Sequence, residues 1–243
     1  MTRFIFSEID TEGAALSAPA DNAGRITTRL LSAAEEVWEG YHSHPFVRGI
    51  AEGTLDQEKF RFYMLQDYVY LLEYVRVFAV GLAKAECAEV MAYFAGAVRQ
   101  ITDGEMEIHR AYMKRLGISE SEAEQTRPAL DNISYTSYML RVAYEGSAAE
   151  AAAAILSCAL SYEVIARRVV KEHPEVAEHP FYGEWVRGYS GREYHEENTR
   201  LIALTEQLTA EYGEAQLAKL EEIFVNCSRF ESAFWDMAWE CRL

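Results

Sequence analysis

Residues Phe60–Tyr74 read FRFYMLQDYVYLLEY. At the angular step of a helix, Tyr63, Asp67, Tyr70 and Tyr74 fall at i, i+4, i+7 and i+11, on one narrow stripe. Phe60, Phe62, Leu65, Val69, Leu71 and Leu72 make nearly every other side of that helix apolar. A carboxylate set among phenols on such a helix is not a solvated surface pattern. A buried charge needs partners, and tyrosine hydroxyls can supply them. The stripe is therefore either a satisfied core network or one wall of a polar pocket.

The helical pattern continues on both sides of this stretch. Thr54-x-x-Gln57 reads as a capping box, and the helix is expected to run to about Ala85. Before it, Ala23 to Glu39 is helical with Leu30, Leu31, Ala34 and Trp38 inside, broken at His44-Pro45-Phe46 ahead of a short helix to Ile50. After it, one long helix is expected from Ala88 to Leu116, ending at the C-cap residue Gly117. Ser119-x-x-Glu122 opens a short helix stopped near Pro128. Further helices are expected over Asn132–Tyr144, Ala148–Glu172, Pro180–Gly188 and Glu214–Trp239. Ser190-x-x-Glu193 is a third capping box, for a helix reaching Tyr212. No segment alternates with the period of a strand, so the chain is predicted all-α. Residues 23–243 form a single helical-bundle domain in this reading, and residues 1–22 an N-terminal arm.

The 243 residues, half of them apolar, suffice for a core without disulfide or metal staples. With 39 acidic against 23 basic residues the net charge is −16, which argues against nucleic acid and anionic membrane surfaces as partners. Cys87, Cys158, Cys227 and Cys241 are scattered without a CxxC pair, the start resembles no secretory signal, and the longest apolar run, Ala151 to Leu160, is short of a bilayer span. The expectation is a cytoplasmic protein with free thiols.

Cys158 lies in ILSCALSYEV with Tyr162 one turn on. It is either a small core residue or a nucleophile whose activation must come from another helix. Glu231, among Phe230, Phe234, Trp235 and Trp239, is either a helix-surface residue or a carboxylate suited to general acid work. Tyr135 and Tyr189 are further phenols near helix ends. Glu105 and His109 have the i, i+4 spacing of a di-metal carboxylate helix, but the remaining histidines make a poor ligand set, and no metal is expected. There is no phosphate loop, dinucleotide fingerprint or GxSxG elbow.

Five stretches in order carry a resemblance: HPFVRGIAEGTLDQEKFRFYMLQDYVYL, SYTSYM, Cys158-x-x-x-Tyr162, WVRGYSG and FxxxxxxExxFWDMAW. Together they resemble the TenA/thiaminase II family from about Ala23 to Glu240. The resemblance implies an all-α, haem-oxygenase-like bundle without haem, assembled as a homotetramer and needing no cofactor. It implies hydrolysis of 4-amino-5-aminomethyl-2-methylpyrimidine to the hydroxymethylpyrimidine, and in some members cleavage of thiamine. By the same match Cys158 is the nucleophile that attacks C6 of the ring and Glu231 the general acid. Asp67 binds a ring nitrogen and the 4-amino group, and Tyr70, Tyr135, Tyr162 and Tyr189 line the pocket. Ser157 and Leu160 stand where many members have Pro and Trp. Two other readings share this scaffold: an oxidase, metal-dependent or cofactorless, and a non-catalytic pyrimidine-binding regulator.

Overall fold

The computed structural model describes residues 26–243, and the predicted arm and the first residues of the predicted first helix lie outside them. Helix α1 (Ile26–Ser43) stops where His44 takes up extended backbone, and Pro45 then occupies the first turn of α2 (Pro45–Ala51). Proline is tolerated there because its missing N–H has no helical partner to lose. The His44 ring caps this turn, its Nδ1 accepting from the Phe46 N–H at 3.2 Å.

Helix α3 (Gln57–Lys84) carries the aromatic stripe. Its cap is Asp56, whose carboxylate accepts from the Glu58 N–H at 2.8 Å, and not the predicted Thr54. The Thr54 and Leu55 N–H groups turn back to the Gly49 carbonyl at 2.8 and 2.9 Å, which leaves Thr54 in the preceding turn. The helix predicted over 88–116 is in fact three pieces: α4 (Ala88–Gln100), a π-helical turn (Ile101–Glu105) and α5 (Met106–Arg115). Gly117, at φ +70°, closes it as expected.

Ser119 caps α6 (Glu120–Glu124) by accepting from the Glu122 N–H at 3.2 Å, as its motif predicts. Then follow α7 (Leu130–Glu145), α8 (Ala148–Glu172), a 3₁₀ turn (Pro174–Glu178), α9 (Gly183–Ser190), α10 (Arg192–Leu208) and α11 (Glu214–Glu240). The Ser190 box does not form. Gly191 is the cap of α10, and the Ser190 hydroxyl instead donates to the Val186 carbonyl at 2.7 Å. Among the described residues there is no strand.

The chain clusters into two compact units. The described part of the first comprises residues 26–55 and 152–232. Its centre is α8, buried without interruption over residues 152–166. By length and composition α8 could cross a membrane, but 94% of its most apolar window is buried inside the protein, the signature of a core helix. Helices α1 and α11 are joined by Trp38, which packs on Phe224 at 5.6 Å between ring centres and donates from Nε1 to Ser228 Oγ at 2.9 Å.

The second unit comprises residues 56–151 and 233–243, with α4, α5, α6 and α7 all packed on α3. Phe60, Tyr63, Tyr70, Tyr74 and Phe78 line α3 with rings, and Phe78 continues onto Phe94 of α4 at 6.3 Å. Gly81 permits this approach, since a Cβ there would lie 2.5 Å from the Phe94 ring. Buried Gln66 fixes the entry to α7: its side chain donates to the Arg127 carbonyl at 3.1 Å and accepts from the Ala129 N–H at 2.9 Å.

Candidate active site

In the first unit, Cys158 on α8 is 7% exposed and Glu231 on α11 is 2% exposed. The choice left open for Glu231 is thereby narrowed, because it is no surface residue. Tyr41, a residue that the sequence reading passed over, lies within electrostatic reach of both. Burial pushes its phenol well above the ordinary range, and the charge of Glu231 adds to the effect. Its hydroxyl donates to the Ser228 carbonyl at 2.5 Å. The signal was present, since Tyr41 follows Trp38 by three on the inner stripe of α1. Burial, with the Glu231 charge added, also pushes the Cys227 thiol well up, which makes this second cysteine an inert core group.

Ser157 and Ser228 join hydroxyls at 2.9 Å, so Ser157 ties α8 to α11. The same Ser228 hydroxyl accepts from Trp38 and donates to the Phe224 carbonyl at 2.9 Å. Tyr162, one turn beyond Cys158, meets Tyr189 at 4.8 Å and Trp185 at 6.0 Å between ring centres. The two predicted phenols of this unit are thus brought together, Tyr162 buried and Tyr189 half-buried.

Beside Tyr162 sits a buried acid that the sequence reading did not single out. Glu163, its side chain 1% exposed, binds His195 Nδ1 at 2.6 Å, Asn198 Nδ2 at 2.6 Å and Arg167 Nε at 3.0 Å. Asn198 Nδ2 and the Tyr194 hydroxyl also donate to the Ala159 carbonyl, at 3.2 and 3.1 Å. Helix α10 is thereby anchored to the turn of α8 that carries Cys158 and Tyr162.

In the second unit the predicted stripe is buried along its whole length. Tyr63 stacks on Trp235 at 5.8 Å, and Tyr74 stacks on Tyr70 at 5.4 Å. Tyr70 also packs on Tyr135 of α7 at 5.2 Å, and its hydroxyl meets Met139 Sδ at 3.6 Å. The partner of Asp67 is a correction to the phenol reading. His109 of α5 binds it, Nε2 to Oδ2, at 2.5 Å. His109 Nδ1 meets the Glu105 backbone carbonyl at 3.1 Å. The two residues of the Glu105/His109 spacing thus meet through the Glu105 backbone, and the imidazole pairs with the carboxylate of Asp67. Among the described residues no group of three or more His, Cys, Asp or Glu side chains is arranged to hold a metal ion.

The sequence profile of the TENA/THI-4/PQQC family matches residues 31–241. The chain belongs to this family. It is 44% identical over 216 residues to an aminopyrimidine aminohydrolase of Helicobacter pylori, covering 89% of this chain and 99% of that one. Among solved structures it is similar to a TenA homologue from P. horikoshii OT3, with a TM-score of 0.80 at 33% identity over 89% of this chain and 99% of the other. A domain with a heme oxygenase-like fold from Shewanella denitrificans shares the fold alone, with a TM-score of 0.68 at 11% identity over 88% of this chain and 92% of that one. The all-α, haem-oxygenase-like architecture and the family expected from the five motifs are thus both found.

Proposed function

We propose that this protein is an aminopyrimidine aminohydrolase of thiamine salvage, converting 4-amino-5-aminomethyl-2-methylpyrimidine and water to the hydroxymethylpyrimidine and ammonia. The observation that carries this reading is the 44% identity to the Helicobacter pylori aminohydrolase along 99% of that protein. The retention of Cys158 and Glu231 as buried groups of one unit, with Tyr41 in electrostatic reach of both, supports it. An electron-rich aminopyrimidine does not readily expel an amine while its ring is aromatic, and thiolate addition removes that obstacle.

In the proposed sequence, the Cys158 sulfur bonds to C6 and the 5-methylene–nitrogen bond breaks. The amine leaves with its electron pair and a proton. Water adds to the exocyclic methylene so formed, and loss of the thiolate from C6 restores the aromatic ring. Glu231 exchanges the protons with the substrate, a task that suits a buried carboxyl group. Asp67 holds the 4-amino edge of the ring, and Tyr70, Tyr135, Tyr162 and Tyr189 provide aromatic contact.

The test is product analysis with the aminomethylpyrimidine and thiamine side by side. Wild type is expected to release ammonia from the first, and Cys158→Ala to lose roughly a thousandfold or more in turnover. An alanine variant with full activity would remove Cys158 from the mechanism. The proposal extends to a cytoplasmic homotetramer, with light scattering expected to give four chain masses.

A further inference from the structure

The π-helical turn Ile101–Glu105 changes which residues of the following helix point inward. On α4 the buried positions are Val90 and Phe94, followed by Ile101 at the start of the turn. An uninterrupted helix would next bury positions 105 and 108. The buried residues of α5 are instead Met106, His109, Tyr112 and Met113, while Ile108 is 50% exposed. The wider turn has moved an isoleucine to the surface and a histidine into the core, against the hydrophobic preference of both. Such turns are uncommon and concentrate at functional sites.

The hydrogen bonds of His109 restrict its protonation. A neutral imidazole has one N–H and one lone pair, yet both nitrogens here face oxygen acceptors. The Glu105 carbonyl can only accept, so Nδ1 carries a proton. Nε2 then meets Asp67 across a second proton, held either by the ring or by the carboxyl group. Burial opposes the imidazolium, but the hydrogen bond and charge of Asp67, aided by the charge and carbonyl of Glu105, outweigh it and raise His109 above its ordinary value. Asp67 and Glu105 are the charged groups that act on this ring. The protonated ring is thereby favoured. Among the described residues the carboxylate accepts no other side-chain hydrogen bond, and the one it takes is on Oδ2.

We propose that His109 is a positioning residue for substrate binding, turned inward by the π-helical turn to hold Asp67 as a carboxylate with Oδ1 left to accept from the 4-amino edge of the pyrimidine. This rests on the assignment of Asp67 as a substrate contact made above. A buried aspartate without a cation would tend to take up a proton, and a carboxylic acid presents a donor where the amino group also presents one. His109 removes that mismatch without touching the substrate.

The experiment uses full-length protein with His109→Gln, Asp67→Asn and the double variant. Steady-state kinetics on the aminomethylpyrimidine are combined with imidazole NMR of the ligand-free enzyme. His109→Gln should raise KM by about tenfold or more with kcat changed by less than a few fold, while the thermal midpoint moves little. The double variant should be no worse than Asp67→Asn alone, because both changes interrupt one interaction. In wild type, His109 should lose its second ring proton only above the ordinary imidazole value of about 6.5. A wild-type KM in His109→Gln, or losses that simply add in the double variant, would overturn the role of His109. If wild type turns over substrate but Asp67→Asn is silent, the assignment of Asp67 falls instead. If His109→Gln does not fold, NMR still decides: a ring that loses its second proton at or below that ordinary value refutes the proposal.

Discussion

Among the described residues, each unit holds a buried acid bound to a histidine, and the two acids differ in how completely they are satisfied. Glu163 receives three donors, from His195, Asn198 and Arg167, on its two oxygens. Asp67 receives one, from His109, on Oδ2. An ionised carboxylate has room for about four hydrogen bonds, so Glu163 is nearly saturated and Asp67 is not. A saturated buried acid anchors one helix to another. One with unused capacity can still take a ligand. The sequence hides this difference, because each acid is simply one polar residue within a long, largely apolar helix.

The contrast can be broken by mutation, beginning with the largest effect. Glu163→Ala should destabilise the protein by about 3 kcal/mol, read by urea unfolding, because it removes the buried acid on which Asn198, buried, and His195 and Arg167, half-buried, converge. Asp67→Asn should act chiefly on function, lowering kcat/KM roughly a hundredfold, or about 2.7 kcal/mol, with a smaller change in unfolding free energy. If Asp67→Asn instead costs as much stability as Glu163→Ala, the two acids play the same structural part and the distinction fails.

Ser157→Ala tests the tie between α8 and α11. It should cost about 1 kcal/mol of stability, since Ser228 keeps Trp38 and the Phe224 carbonyl as partners. A change in leaving-group preference would show in the ratio of aminomethylpyrimidine to thiamine turnover.

The smallest effect is the pH dependence contributed by His109. Its folded value is raised, so folding favours the protonated ring. That contribution is complete below the unfolded value of about 6.5 and is lost as pH rises through the folded value. The stability advantage of wild type over His109→Gln should therefore be greater at about pH 6 than at about pH 9, measured by parallel urea titrations. An advantage that grows with pH would mean that the ring is neutral in the fold.

How far the site was legible follows from the range of each signal. The stripe on α3 was readable because helical spacing alone sets which residues share a face. The Ser119 cap was readable from its motif and formed, whereas the Thr54 and Ser190 boxes did not. Those two depend on where the backbone turns: the Gly49 carbonyl draws Thr54 into the preceding loop, and the Val186 carbonyl takes the Ser190 hydroxyl. Tyr41 was within reach of the periodicity argument but carried no motif. His109 was noticed through its spacing from Glu105, whereas its contact with Asp67, 42 residues earlier, was set by the fold.

The sequence by itself determined the all-α class, the order of the helices, the buried aromatic stripe and the family, because these depend on local periodicity and on motifs contiguous in the chain. The tertiary structure alone decided which buried acid is saturated, that Tyr41 shares the surroundings of Cys158 and Glu231, and that a π-helical turn exchanges Ile108 for His109 in the core. Partners across helices are set by packing and register, and one extra residue in a turn changes the inward face of everything that follows it.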